Sequence, residues 1–333
     1  MKGMILAGGL STRLYPLTLE LPKPLVPVLD EPVVSHVIEY LQRYGVDDLV
    51  INVHYFPEAV RDYVGDGSKW GLHVDYLHEP KLMGSAGAVR QVADRFSDTF
   101  VVIGCDDVTD INLAAALAFH RKRKAEATIV LAEVPDVSQY GAVIVDSKGC
   151  IVEFQEKPPK GTERSNLANT GVYIFEPALL QRIPDKTFYD FGKQVFPEML
   201  ADGGAFYGMR QHAYWCDIGT PSEYRRVHRD ALLGNVKLTP PRRAKVVDGV
   251  LIGFEARISP KARIESPSSI GAGSSVEDGA QVVSSILWHG VRVGAGARIE
   301  DAVLGDDAIV EPGSIIKGGE FGKGARLYGD SGS

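Results

Sequence analysis

The sequence predicts an α/β chain in which a mainly parallel sheet, covered by helices on both faces, is followed by a parallel β-helix. Three observations carry this. Strand-like and helix-like stretches alternate over the first 135 residues. A six-residue aliphatic period then appears near the C-terminus. Glycine is also unevenly spread: of 36 glycines, 16 lie in the 85 residues from Gly249 onward and 20 in the 248 residues before them.

The elements follow in order. Lys2–Ala7 is a short apolar strand ending at glycines. Pro32–Tyr44 carries Val33, Val34, Val37, Ile38 and Leu41 on one helical face, with Pro32 in the first turn and Gly45 at the end. Leu49–Val53 reads as a buried strand, and Leu72, Val74 and Tyr76 alternate with polar residues as another. Ser85–Phe96 is helical, Phe100–Ile103 is a strand running into Cys105-Asp106-Asp107, Asn112–Lys124 is helical, and Thr128–Ala132 is the next strand. In such Rossmann-like sheets ligands bind outside the carboxyl ends of the strands, where Gly8-Gly9 and Asp106 fall.

Leu238–Arg243 reads as a linker. Beyond it Ile258, Ile264, Ile270, Val276 and Val282 recur every six residues; the period breaks near Trp288 and resumes as Val293, Ile299, Val303, Ile309 and Ile315. One aliphatic per six residues with small neighbours is the pattern of a triangular coil whose aliphatics point inward and whose corners need small residues. It resembles the left-handed β-helix of hexapeptide-repeat proteins.

A length of 333 residues suits two domains, and 44% apolar and 24% charged residues are ordinary for a globular chain. A formal charge of −7 gives no footprint for nucleic acid or an anionic membrane. Arg121–Lys124 reads as a solvated helix end. Three scattered cysteines, no signal-like N-terminus and no long apolar run suggest a cytoplasmic chain. The eight histidines show no ligand spacing.

Residues 6–24 carry the sharpest signal. A strand runs through Leu6 and Ala7 into Gly8-Gly9, whose backbone can approach an anion closely. Ser11, Thr12 and Arg13 follow, the last able to fork onto phosphate oxygens. Lys23 stands between two prolines and is thereby a held charge.

This segment resembles the signature of the sugar-1-phosphate nucleotidylyltransferases, or NDP-sugar pyrophosphorylases. It matches at Gly8, Gly9, Thr12, Arg13, Leu14, Pro16, Leu17, Thr18, Pro22, Lys23 and Pro24, and departs at Ser11, where the family usually has glycine. Leu82–Ala88 resembles the segment that approaches the nucleotide base, in a form that leans towards mannose-1-phosphate guanylyltransferases with a C-terminal left-handed β-helix. Asp106 and Asp217, the latter within Trp215-Cys-Asp-Ile-Gly-Thr220, match the metal-binding aspartates; Phe154-Gln-Glu-Lys-Pro158 and Asn169-Thr-Gly171 match the sugar segments. Tyr189–Lys193 is reminiscent of adenylyl-type members and receives no role.

The resemblance implies a catalytic domain over residues 1–232, a linker over 233–250 and the β-helix over 251–333. It implies Arg13 and Lys23 as catalytic cations. Leu6, Ala7, Gly8, Gly9, Ser11, Thr12, Glu79, Gly84 and Ser85 would bind the nucleotide. Tyr140, Gly141, Glu156, Lys157 and Asn169 would bind the sugar phosphate, and Asp106 and Asp217 would hold Mg²⁺. The partners expected are an NTP, with GTP favoured, a sugar 1-phosphate and further copies of the chain, with neither nucleic acid nor membrane. The reaction implied is attack of a sugar-1-phosphate oxygen on the α-phosphorus, most readily mannose 1-phosphate with GTP; glucose 1-phosphate with dTTP, UTP or ATP is the alternative. An acyltransferase would want a catalytic histidine in the coils, where His289 stands alone at the break of the repeat. A non-catalytic regulatory homologue would be expected to lose Arg13, Lys23, Asp106, Lys157 and Asp217, all of which are present.

Overall fold

The computed structural model describes residues 1–332. It divides into two compact units, Met1–Gly9 with Val37–Asp217, and Leu10–His36 with Ile218 onward.

The first unit is built on a nine-stranded sheet. β1 (Lys2–Leu6) lies between β4 (Asp48–Val53) and β6 (Phe100–Gly104), and β5 (His73–His78) extends that side, all parallel. β1, β4 and β6 read as apolar runs because helices such as α3 (Gly84–Gln91) and α4 (Leu113–Arg123) cover the sheet, whereas β5 at its edge alternates. β11 (Leu167–Phe175) then pairs antiparallel with β6 and with β8 (Ala127–Glu133), which is parallel to β12 (Phe206–Arg210). β9 (Gly141–Val145) and β10 (Ile151–Glu156) close the edge as an antiparallel pair. The sheet is therefore parallel on the side read from alternation and mixed beyond it. After β6 the chain turns at Cys105-Asp106 into β7 (Asp107–Thr109), which pairs with β13 (Trp215–Asp217).

The helical expectations fall within a few residues of the observed elements. α1 spans Val33–Arg43 and α4 is capped by Asn112, whose Oδ1 accepts from Ala115 N at 3.0 Å. A further helix, α2 (Pro57–Val64), was not foreseen, because its two turns carry only Val60 and Val64 as buried residues. No helix among the described residues is long and apolar enough to cross a membrane.

The second unit contains the short hairpin β2 (Pro27–Val28) and β3 (Glu31–Pro32), helix α6 (Pro221–Leu232) and the repeat region. The repeats form three parallel ladders of two- and three-residue strands, the three faces of a β-helix. One ladder stacks Ile258, Val276, Val293, Val310 and Leu327, the next Ile264, Val282, Ile299 and Ile316, and the third Ile270, Leu287, Leu304 and Phe321. The first rung is 18 residues and the later ones 17, since Val282 to Leu287 and Ile299 to Leu304 are steps of five. This corrects the expected positions after the break. Leu304, Val310 and Ile316 point inward, one residue later than Val303, Ile309 and Ile315.

Val303 is buried for another reason: it lies next to Ile286 on the face that also carries Glu320, which pairs with Arg225 of α6. Tyr224 of α6 is fully buried; its hydroxyl donates to the Pro27 carbonyl at 2.6 Å and accepts from Trp288 Nε1 at 2.8 Å. His289 stands between Asp30 (Nε2–Oδ1 3.2 Å) and Asp306 (Nδ1–Oδ1 3.3 Å), and Asp30 also accepts from Ala272 N at 3.1 Å. His289 is thus a clamp residue, and hydrogen bonds to Asp30 and then Asp306 push its pKa up to about 10.

Two outcomes test this packing. Ile316→Ala should cost about 2–5 kcal/mol and Ile315→Ala under about 1 kcal/mol in chemical denaturation; equal costs would mean the register is wrong. Because the folded His289 holds its proton above the ordinary value of about 6.5, its contribution is complete below that pH and is lost as pH rises towards about 10. The thermal midpoint should fall over that window, and His289→Gln should flatten the fall.

Candidate active site

The first cluster is built at the carboxyl end of β1. Asn52, a polar residue at 4% exposure that follows the apolar run Leu49–Ile51 of β4, accepts from Ala7 N through Oδ1 at 2.7 Å and donates through Nδ2 to Glu79 Oε2 at 2.7 Å. Glu79 is 1% exposed, and its other oxygen accepts from Met83 N and Gln91 Nε2, each at 3.1 Å. A carboxylate at that depth requires such donors. Gly8 lies over the pair: a Cβ there would stand 2.8 Å from Asn52 Nδ2. A cavity of about 240 Å³ opens at this point, lined by Leu6, Gly8, Gly9, Asn52, Glu79, Leu82, Gly84, Ser85 and Phe188.

The wall at α3 is completed from far along the chain. The Tyr189 carbonyl accepts from Ala86 N (3.0 Å) and Gly87 N (2.9 Å), and Tyr189 N donates to the Met83 carbonyl at 2.8 Å. Two of the first-turn N–H groups of α3 are thereby satisfied by backbone. Gly84, at φ +78°, faces that same carbonyl with no room for a side chain.

The acidic side lies one strand over. β6 runs parallel to β1, with Leu6 opposite Gly104, and Cys105 N donates to the Leu6 carbonyl at 3.0 Å. Asp107 is buried and structural: Oδ1 accepts from Trp215 Nε1 and Oδ2 from Gly104 N, both at 3.0 Å. Asp106 precedes it in the turn and Asp217 pairs opposite it, both half-buried. Among the described residues no group of three or more His, Cys, Asp or Glu side chains is arranged so that it could by itself hold a metal ion. Two carboxylates of this kind suit a hard cation that completes its shell from phosphate oxygens and water.

The third cluster is gathered by β9, β10 and β11. Glu156 pairs with Gly141, Lys157 N donates to the Tyr140 carbonyl at 3.0 Å, and a Cβ on Gly141 would stand 3.3 Å from that of Asn169. Asn169 Oδ1 accepts from Gly171 N at 3.0 Å, within a bulge of β11 where Gly171 takes φ +76° and lies against Asp107. Tyr140 packs edge-on to Trp215 at 4.8 Å. Glu156 is exposed as a residue, yet its carboxyl occupies the space that a Cβ on Gly192 would take; burial raises its pKa, Asp190 adds to this, and Lys157 and Lys193 oppose it.

The first unit thus brings together Leu6, Ala7, Gly8, Gly9, Glu79, Gly84 and Ser85, then Asp106 and Asp217, then Tyr140, Gly141, Glu156, Lys157 and Asn169. Ser11, Thr12, Arg13 and Lys23 belong to the second unit. There Ser11 takes the left-handed conformation, φ 54°, that glycine would adopt freely, and its carbonyl accepts from the buried Thr18 Oγ1 at 2.9 Å. Arg13 is exposed in a short 3₁₀ turn and Lys23 begins another. Asn52 and Phe188 were missed as cavity walls, whereas Leu82 lies in the segment read as approaching the base; the lone polar side chain within Leu49–Val53 was a signal for the first, and nothing local marks Phe188.

Residues 2–233 match the family described as nucleotidyl transferase, and residues 246–327 match the GMPPB C-terminal domain. The UTP–glucose-1-phosphate uridylyltransferase of Synechocystis is 36% identical, over 85% of this chain and 77% of that one. The mannose-1-phosphate guanylyltransferase of Mycobacterium tuberculosis is 33% identical, over 88% and 81%. Among solved structures, HddC from Yersinia pseudotuberculosis complexed with GMP-PN is similar with a TM-score of 0.59 and 26% identity, over 68% of this chain and 97% of that one.

Glu79→Gln would turn an amide donor towards groups that already donate, and should cost about 2 kcal/mol of stability. Denaturant titration measures it; an unchanged midpoint would mean the carboxylate is not what holds this wall.

Proposed function

The chain belongs to the nucleotidyl transferase family, and from that premise we propose that it transfers a guanylyl group from GTP to mannose 1-phosphate, giving GDP-mannose and pyrophosphate. Sugar-1-phosphate nucleotidyl transfer is the activity of its relatives and of this chain. The observation that carries the site reading is the placement of the glycine-lined cavity and the Glu156–Asn169 cluster on either side of the Asp107–Asp217 pairing. The match of the C-terminal residues to the GMPPB C-terminal domain supports the mannose and guanine reading. A second reading, glucose 1-phosphate with UTP, is favoured by the 36% identity to the Synechocystis enzyme.

In this reading the catalytic domain is residues 1–232, the linker 233–250 and the β-helix 251–333, in a cytoplasmic protein whose cysteines are thiols. Leu6, Ala7, Glu79, Gly84 and Ser85 seat the nucleotide, and the Gly8, Gly9 and Ser11 amides, with Thr12, face the phosphates. Lys157 holds the sugar phosphate, while Glu156, Asn169, Tyr140 and Gly141 orient the sugar hydroxyls. Arg13 and Lys23 neutralise the triphosphate and the charge gathering on departing pyrophosphate. Asp106 and Asp217 would hold Mg²⁺, which supplies charge neutralisation at phosphate oxygens. Positioning does the rest: two anions are brought into line, the sugar-phosphate oxygen bonds to the α-phosphorus, and the bond to the β-phosphate bridge breaks.

Pyrophosphate release from a panel of NTPs crossed with sugar 1-phosphates should give the highest kcat/KM for GTP with mannose 1-phosphate. Highest turnover with UTP and glucose 1-phosphate would overturn that choice. Asp106→Ala and Asp217→Ala should each lower kcat by about 10²–10³ with the thermal midpoint kept. Lys157→Ala should raise KM for the sugar phosphate, and an effect confined to NTP would contradict its role.

A further inference from the structure

The segment Tyr189-Asp-Phe-Gly-Lys193 has no part in the reaction as set out above, yet it touches both substrate regions. The Ser85 hydroxyl, on the wall of the nucleotide cavity, donates to Asp190 Oδ2 at 2.9 Å and accepts from Phe191 N at 3.0 Å. The other oxygen of Asp190 accepts from Gly192 N (3.0 Å) and Lys193 N (3.3 Å), capping a five-residue π-helical turn over Phe191–Val195. Asp190 N in turn donates to Gln194 Oε1 at 2.8 Å. A π turn is a costly backbone form that recurs at functional sites. Gly192, in its first turn, is the residue against which the Glu156 carboxyl lies, with no space for a Cβ between them.

We propose that Asp190 is a positioning residue that couples the nucleotide cavity to the sugar-phosphate pocket, one oxygen fixing Ser85 and the other fixing the turn that seats Glu156. The inference rests on the functional reading above for the identity of the two pockets. Its physical content is one rigid path, Ser85 to Asp190 to Gly192 to Glu156, so that a change at the nucleotide wall is felt at the sugar. The charged groups facing Glu156 are Asp190, Lys157 and Lys193. Asp190 is therefore also an electrostatic neighbour of the carboxyl that it positions.

The test uses the full chain with three variants. Ser85→Ala removes the acceptor of Phe191 N–H and should speed amide exchange across Phe191–Lys193 about tenfold, with Ser85→Thr restoring protection. The same Ser85→Ala variant should raise KM for mannose 1-phosphate as well as for GTP. Asp190→Asn keeps an oxygen for the cap and removes the charge that helps hold Glu156 up, so the acid limb of kcat/KM for the sugar phosphate should move to lower pH. Unchanged exchange in Ser85→Ala overturns the coupling, as does a KM effect confined to GTP or an unmoved acid limb in Asp190→Asn. If the wild-type chain releases no pyrophosphate with any substrate pair, the functional reading fails, while the exchange measurement still decides whether Ser85 and the turn are linked.

Discussion

A buried carboxylate must be surrounded by donors, and at Glu79 that requirement ties the glycine-lined cavity together. Its oxygens draw in Asn52 from the end of β4, Met83 from the approach to α3 and Gln91 from the end of that helix. Asn52 passes the constraint on by accepting from Ala7 N, which fixes the chain just before Gly8 and Gly9. The parallel register of β4, β1 and β6 then sets the acidic turn beside it, since Leu6 pairs with Asn52 on one side and Gly104 on the other. The cavity, the acids and the glycine loop are consequences of one pairing pattern and one satisfied charge.

The second carboxylate with this kind of structural duty is Asp107. Two adjacent acids in sequence look equivalent, but burial separates them. Asp107 is consumed by Trp215 and Gly104, and it lies against Gly171 in the bulge of β11. Asp106 stays half-buried at the turn. The bulge matters because it lets Asn169 cap its own Gly171 and turns β11 beside Gly141. The Glu156–Asn169 cluster and the acidic turn therefore meet at the same backbone irregularity.

What was legible in the sequence was whatever local chemistry determines. Apolar runs marked β1, β4 and β6, Asn112 marked the start of α4, and the Gly8-Gly9 pair marked the loop that opens at the end of β1. What was not legible depends on contacts between distant residues. Phe188 lines the cavity only because Tyr189 caps α3 about a hundred residues upstream. Asp190 is an ordinary acid until Ser85 is placed beside it. In the coils, the six-residue period held while each face had six residues and failed by one where a face had five, so Ile315 rather than Ile316 was read as inward. A net charge of −7 likewise concealed the cations Arg13, Lys23 and Lys157, whose local placement matters more than the sum.

In nucleotidyl transfer the bond broken lies between the α- and β-phosphates of the NTP. GTP carrying distinct labels on its α- and γ-phosphorus, turned over with mannose 1-phosphate, tests it directly. The α-label should appear in the sugar nucleotide and the γ-label in pyrophosphate. Transfer of the γ-label to the sugar, with GDP released, would contradict it.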